Sequence, residues 1–167
     1  MHNEAKKYVF DTFNNWFKDK KNTPISVLEI GSFNINGSVR EVIQPFAKNY
    51  FGIDMQDGEG VDLVADGALY ESPETYDVIV TAETFEHTPN WKNIINKSYI
   101  NLKPNGIFIA TMAGEGRAPH SAIDTNPIRD WEYYENVDAL KLKQALIQFR
   151  ISDINVLGTD LRCFAIK

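Results

Sequence analysis

The stretch Ile25-Ser26-Val27-Leu28-Glu29-Ile30-Gly31-Ser32-Phe33-Asn34-Ile35-Asn36-Gly37 decides how this chain is read. Ile25–Ile30 is a short apolar run that stops at a glycine, the pattern of a buried strand entering a turn. Glu29 breaks that pattern. A buried strand has no use for an unpaired carboxylate, which is costly away from water. An acid next to the strand's carboxyl end therefore points to a polar partner beyond it.

Working outward, the same punctuation recurs. Upstream, Val9, Phe13, Trp16 and Phe17 fall on one helical stripe, and residues 1–22 are read as an N-terminal helix closed by Pro24. Downstream, Val39, Val42, Ile43 and Phe46 have helical spacing, with Pro45 set to end or kink that helix. Tyr50–Ile53, Val61–Ala65 and Asp77–Thr81 read as strands. Trp91, Ile94, Ile95, Ser98 and Leu102 form the stripe of another helix, with Asn90 as its N-cap. Lys103-Pro104-Asn105-Gly106 reads as a turn before a strand at Ile107–Met112. Ala113–Asn136 has no period. Leu142, Ala145, Leu146 and Phe149 mark a last helix, and Ile151–Leu157 with Leu161–Ile166 form a hairpin across Gly158-Thr159-Asp160. Alternating strands and helices predict an α/β fold: a doubly wound, seven-stranded sheet, mainly parallel, with one antiparallel strand in the C-terminal hairpin. Ligands of such sheets bind beyond the carboxyl ends of the strands, where the strand order reverses.

Length and charge narrow the function classes. A chain of 167 residues is expected to form a single domain, 1–167. Its 23 acids outnumber its 17 Lys and Arg, giving a net charge of −6, the wrong balance for a nucleic-acid partner. The one basic run, Lys18, Lys20 and Lys21, reads as a solvated helix end. Met1–Lys7 has no apolar signal core, and no run approaches the roughly 20 apolar residues that span a bilayer. The expectation is a cytoplasmic protein with no membrane partner. Cys163, the single cysteine, sits in an apolar run and reads as a buried structural thiol. His2, His87 and His120 are dispersed, so no metal site is expected; His2 reads as a tail residue.

Each early strand ends on an acid or a glycine: Glu29 and Gly31, then Asp54 with Met55, then Asp66 with Gly67 and Ala68, then Ala82 with Glu83. Val27-Leu28-Glu29-Ile30-Gly31, Asp54 after the second strand, Glu83-Thr84-Phe85-Glu86-His87 and Asn101-Leu102-Lys103-Pro104-Asn105-Gly106 together resemble the class I S-adenosylmethionine-dependent methyltransferases, small-molecule branch. The resemblance runs from about Ile25 to Lys167 and implies a Rossmann-like fold with S-adenosyl-L-methionine as cofactor. It implies that Asp54 holds the ribose hydroxyls and that Asp66, Gly67 and Ala68 read the adenine edge. Glu29, Gly31, Ser32, Asn34, Asn36, Gly37, Met55, Ala82 and Glu83 complete the cofactor set.

The first turn departs from the family pattern. Phe33 and Ile35 replace two glycines, and the loop to Gly37 looks about two residues longer, so those side chains must point away or line the methionine portion. His87 and His120 are the candidate catalytic groups. Residues 113–136 are read as a substrate loop or lid, with Arg117, His120, Arg129, Trp131 and Tyr134 as substrate-binding candidates. The partner would be a small molecule or glycan methylated on O or N. Two other readings stand beside this one. The first is a cofactor-binding module without turnover. The second is an NAD(P)-dependent reductase, against which the first turn fails the G-x-G-x-x-G spacing.

Overall fold

The computed structural model describes residues 2–20, 23–124 and 126–167. The chain runs α1 (Asn3–Phe17), β1 (Ile25–Ile30), α2 (Arg40–Ile43), β2 (Ala47–Asp54), β3 (Leu63–Val64), β4 (Tyr76–Ala82), α3 (Trp91–Asn101), β5 (Leu102–Ala113), α4 (Ala139–Ala145), β6 (Ile151–Leu157) and β7 (Asp160–Ile166). Lys21, and with it part of the 1–22 helix and of the basic run, lies outside the described residues.

The strands form one sheet in the order β3-β2-β1-β4-β5-β7-β6. Pairing is parallel from β3 through β5, and β7 runs antiparallel to both β5 and β6. The expected α/β sheet with one reversed strand is what the chain forms. Successive strand residues point to opposite faces, and here both faces are covered. Val27, Val78, Val80, Ile107 and Ile109 pack with Val9, Phe13 and Phe17 of α1 and Ile43 of α2. Leu28, Ile30, Ile79, Phe108 and Ala110 pack on the other face with Ile94 and Ile95 of α3 and with Leu142 of α4. Two-sided burial is why these strands read as continuous apolar runs. Fully buried Phe13 stacks on Phe17 with ring centroids 5.2 Å apart, and such a side chain contributes roughly 1.5–3 kcal/mol.

Several elements differ from the sequence reading. Val61–Ala65 yields only the two-residue β3, because this edge strand leaves Leu63 and Val64 exposed and gains nothing by extending. The helix expected from Val39 to Phe46 is one α turn followed by a 3₁₀ turn at Gln44–Phe46, since Pro45 removes a backbone donor. Lys103–Gly106 does not separate α3 from its strand: β5 begins at Leu102 and bulges there, with Asn105 at φ 63°. Asn90 caps α3 by position but not by its side chain; its amide donates to Thr88 Oγ1 at 3.2 Å. The sheet order reverses between β1 and β4, and that is where a cavity opens.

Candidate active site

A cavity of about 540 Å³ lies across the carboxyl ends of β1, β2 and β4, within the usual size range of small-molecule sites. Of the residues singled out from the sequence, Glu29, Gly31, Ser32, Asn36, Gly37, Asp54, Met55, Asp66, Gly67, Ala82, Glu83, His87, His120 and Trp131 line it. Asn34, Ala68, Arg117, Arg129 and Tyr134 lie outside that lining, each for a visible reason.

On the β1–β2 side the polar groups are fixed by the chain's own hydrogen bonds. Asp54 accepts from the Phe33 amide at 3.1 Å on one oxygen and from the Gln56 amide at 3.0 Å on the other. Both oxygens keep a further lone pair, enough for two vicinal hydroxyl donors. Asp66 Oδ1 accepts from the Ala68 amide at 2.8 Å. That amide is therefore engaged, and Ala68, 3% exposed, sits behind the wall instead of on it. Asn34 turns away: its amide group donates to Glu59 at 2.8 Å and its oxygen accepts from the Gly37 amide at 2.8 Å. Phe33 and Ile35, the residues standing where glycines were expected, both line the cavity. Gly31 has φ 77°, and a Cβ there would lie 2.0 Å from Thr84 Oγ1, so close packing of β1 against β4 fixes the glycine.

Glu29 is 3% exposed. It accepts from the Tyr50 hydroxyl at 2.9 Å and the Ser38 hydroxyl at 3.3 Å, and Arg40 stacks over the Tyr50 ring. Burial outweighs these contacts and pushes its carboxyl up to about 7. The Ser32 hydroxyl is buried in the wall without a hydrogen-bond partner among the described residues, an orphan that a ligand would satisfy.

The β4 side has a different character. Glu83, at the end of β4, is held at φ 53° by two bonds to Thr111: its amide donates to the carbonyl at 2.8 Å, and its carboxylate accepts from the hydroxyl at 3.0 Å. Such a left-handed residue costs about 1–2 kcal/mol, and strain of this kind clusters at functional sites. A 3₁₀ turn, Phe85–His87, follows. It buries Glu86 completely, and burial together with neighbouring Glu83 holds that carboxyl well above its usual range. The amides of Glu86 and Ala113 lie near enough to favour its ionised form, but neither carboxylate oxygen has a partner of good hydrogen-bond geometry among the described residues. His87 is pushed down to about 4 by burial and by His120, so it is neutral near pH 7. The His87 and His120 rings meet edge to face at 5.0 Å, and Tyr134 packs on both at 5.4 and 5.1 Å.

The loop between β5 and α4 is tied down along its length. Arg117 is held by Asp160 at 2.6 Å and lies 3.6 Å from Glu83, while His2 joins the same cluster, 3.2 Å from Asp160. The sequence read His2 as a tail; the fold instead brings the start of α1 to the end of β4. Arg129 pairs with Asp124 and Glu132 and donates to Ser121 at 2.9 Å. Both guanidiniums are spent on the protein itself, which is why neither faces the cavity. The loop contributes its wall through Ser121, Ile123, Trp131 and Tyr133. Trp131 and Tyr133 are legible in the sequence as aromatics able to form a wall; Ser121 and Ile123 are not, because an aperiodic segment carries no signal of which side faces inward. Glu86 was legible as part of the E-x-x-E-H stretch, but its burial was not.

A family model described as a methyltransferase domain matches residues 1–148. No curated protein matches the chain in sequence. Among solved structures, the N-methyltransferase NodS from Bradyrhizobium japonicum is 15% identical with a TM-score of 0.65, covering 99% of this chain and 97% of its own. The plantazolicin methyltransferase BpumL, in complex with S-adenosylhomocysteine, is 16% identical with a TM-score of 0.69, covering 97% and 83%. The 1,6-didemethyltoxoflavin-N1-methyltransferase from Burkholderia thailandensis is 13% identical with a TM-score of 0.68, covering 98% and 78%.

Proposed function

The chain belongs to the methyltransferase-domain family, and from that premise we propose that it is an S-adenosylmethionine-dependent enzyme methylating an oxygen or nitrogen of a small molecule or sugar. The observation that carries the reading is Asp54: a carboxylate at the end of β2, its two oxygens steered by backbone amides, facing the cavity at the switch point. The orphan Ser32 hydroxyl fits a ligand that comes close to the first turn. Asp54 would take the ribose hydroxyls, and Asp66 with Gly67 the adenine edge. Gly31, Ser32, Glu29 and Glu83 would surround the amino-acid portion. The family match leaves the nicotinamide-dependent reading without support.

When bound, S-adenosylmethionine supplies a methyl group already activated on a sulfonium. The protein's part is alignment and exclusion of water, effects worth up to about 7–11 kcal/mol in favourable systems. Phe33, Ile35, Trp131 and Tyr133 supply apolar wall on either side. His87, neutral near pH 7, and His120 stand at the acceptor end, where a hydroxyl or protonated amine has to lose its proton. Two of the three structural neighbours are named as N-methyltransferases, which supports a nitrogen acceptor within this class. The same reading keeps the enzyme in the cytoplasm, in line with its single, buried, unpaired cysteine, which burial pushes up to about 12.

Calorimetry with S-adenosylhomocysteine tests this directly. The expected result is micromolar-range binding that Asp54→Ala weakens strongly; no heat at high concentration would sink the proposal. Binding without methyl transfer to any member of a broad acceptor panel would make the protein a cofactor-binding module.

A further inference from the structure

Glu86, His87 and His120 each offer a donor atom, and the three atoms lie within 4.8 Å of one another where His87 and His120 line the cavity. We infer that they form a binding site for a divalent transition cation, open toward the cavity and suited to hold an acceptor hydroxyl. The last clause rests on the proposed function; the cation site itself does not.

The fold leaves two of the three donor groups unsatisfied. Glu86 is 0% exposed, yet neither carboxylate oxygen has a hydrogen-bond partner among the described residues. A buried polar group left so is costly, more so when charged. His87 Nδ1 is likewise buried without a partner among the described residues. The second histidine is oriented in the way ligand histidines are: His120 Nδ1 lies 3.1 Å from the Ala118 carbonyl, which can only accept, so Nδ1 carries the proton and Nε2 keeps its lone pair. The frame around the three is rigid. The Glu135 amide donates to the Glu86 carbonyl at 2.9 Å, pinning the segment that carries Tyr134 against both imidazoles.

The donor set selects the ion. Two imidazole nitrogens and one carboxylate suit Zn²⁺, Mn²⁺ or Co²⁺, not the all-oxygen shells of Mg²⁺ or Ca²⁺. Tetrahedral zinc places its donors about 3.4 Å apart, so side-chain rotations of about an ångström would close the set. His87 and His120 line the cavity while Glu86 lies behind them, which directs any open coordination position inward. Three protein ligands with an open fourth position is the pattern of a working metal site. A bound cation would supply Lewis acidity that makes a hydroxyl held there easier to deprotonate, and would so take over the task of the two imidazoles whose lone pairs it occupies. The site thereby favours oxygen acceptors within the proposed class. The sequence argued against a metal because its histidines are dispersed; folding brings two of them into ring contact beside a buried acid.

Untagged protein, stripped with a chelator and desalted, is titrated with Zn²⁺ against a chromophoric indicator. The expected result is one equivalent per chain, with His120→Ala, His87→Asn and Glu86→Gln each weakening binding at least tenfold. His120 is partly exposed on a loop, so His120→Ala tests the site even where a Glu86 variant fails to fold, and melting curves verify that. Water-proton relaxation with Mn²⁺ should report at least one exchangeable water on the ion. Less than about a tenth of an equivalent, or binding unchanged in His120→Ala, overturns the site; a Mn²⁺ complex without exchangeable water overturns the acceptor role. S-adenosylhomocysteine calorimetry on the metal-free protein separates the two proposals: binding there without metal binding sinks this inference alone, and metal binding without S-adenosylhomocysteine binding sinks the proposed function alone.

Discussion

The two ends of the cavity are built on opposite principles. At the β1–β2 end, Asp54 and Asp66 are already held by backbone amides, and Glu29 by Tyr50 and Ser38. At the β4 end, the Glu86 carboxylate, His87 Nδ1 and the Tyr134 hydroxyl are buried without hydrogen-bond partners. Apart from the Ser32 hydroxyl, which has no partner among the described residues, the first end is organised before any ligand arrives, so little ordering entropy is lost when one binds. The second carries an uncompensated desolvation cost, which native structures keep mainly where something else satisfies it. The contrast shows that a cluster of acids and histidines does not mark a site by itself; what matters is which of its atoms the protein has left free.

The largest expected effect that probes this contrast is on Glu29. Its folded carboxyl titrates near 7, against about 4.5 unfolded, so the folded state holds the proton more tightly. Its contribution to stability is fully present below about pH 4.5, is lost as pH rises to about 7, and stays lost above that. Glu29→Gln keeps an acceptor for Tyr50 and removes that loss. Denaturant unfolding should find it more stable than wild type at pH 8 by up to about 3 kcal/mol, and nearly equal at pH 4.5. Equal stability at pH 8 would show that the Tyr50 and Ser38 contacts fully offset burial, leaving Glu29 no less satisfied than Asp54.

Next comes Asp54→Ala, expected to weaken S-adenosylhomocysteine binding about 100-fold, near 2.8 kcal/mol, as befits two lost hydrogen bonds to a charged acceptor. A loss below tenfold would mean that Asp54 serves the Phe33 and Gln56 amides more than any ligand.

Gly31→Ala follows, at about 2 kcal/mol or a fall of roughly 4–8 °C in melting temperature. The new methyl meets Thr84 at a φ of 77°. Adding Thr84→Ala should recover the clash but not the backbone strain, so full recovery would refute the conformational part of the argument.

The smallest effect is Arg129→Ala. Its guanidinium is engaged by Asp124, Glu132 and Ser121, so KM should move by no more than about twofold. A large rise would place Arg129 on the substrate after all.

Much of the first end was legible in the sequence because its logic is local. A strand must end somewhere, and an acid or glycine one or two residues from that end is visible in a single pass: Glu29 to Gly31, Asp54 and Asp66 to Gly67 all reach the cavity wall, as Ala82 and Glu83 do at the β4 end. Asn34 and Ala68 show the limit of such reading. They belong to the right loops, but which side of a turn faces the ligand depends on the partners the backbone finds, here Glu59 and Asp66. The loop after β5 was legible only in part: His120 and Trp131 reach the cavity wall, but the arginines do not. Its arginines looked free for substrate because nothing in the sequence ties Arg117 to Asp160 or Arg129 to Asp124.

The sequence by itself determined the α/β alternation, the reversed last strand and the acids at the strand ends, because apolar periodicity and chain breaks act over a few neighbours. That Glu86, His87, His120 and Tyr134 cluster together, and that one of them is a carboxylate with no hydrogen-bond partner among the described residues, follows from the folded arrangement alone. Contacts between a 3₁₀ turn and a distant aperiodic loop follow from how the sheet closes and what it buries, and no local pattern encodes them.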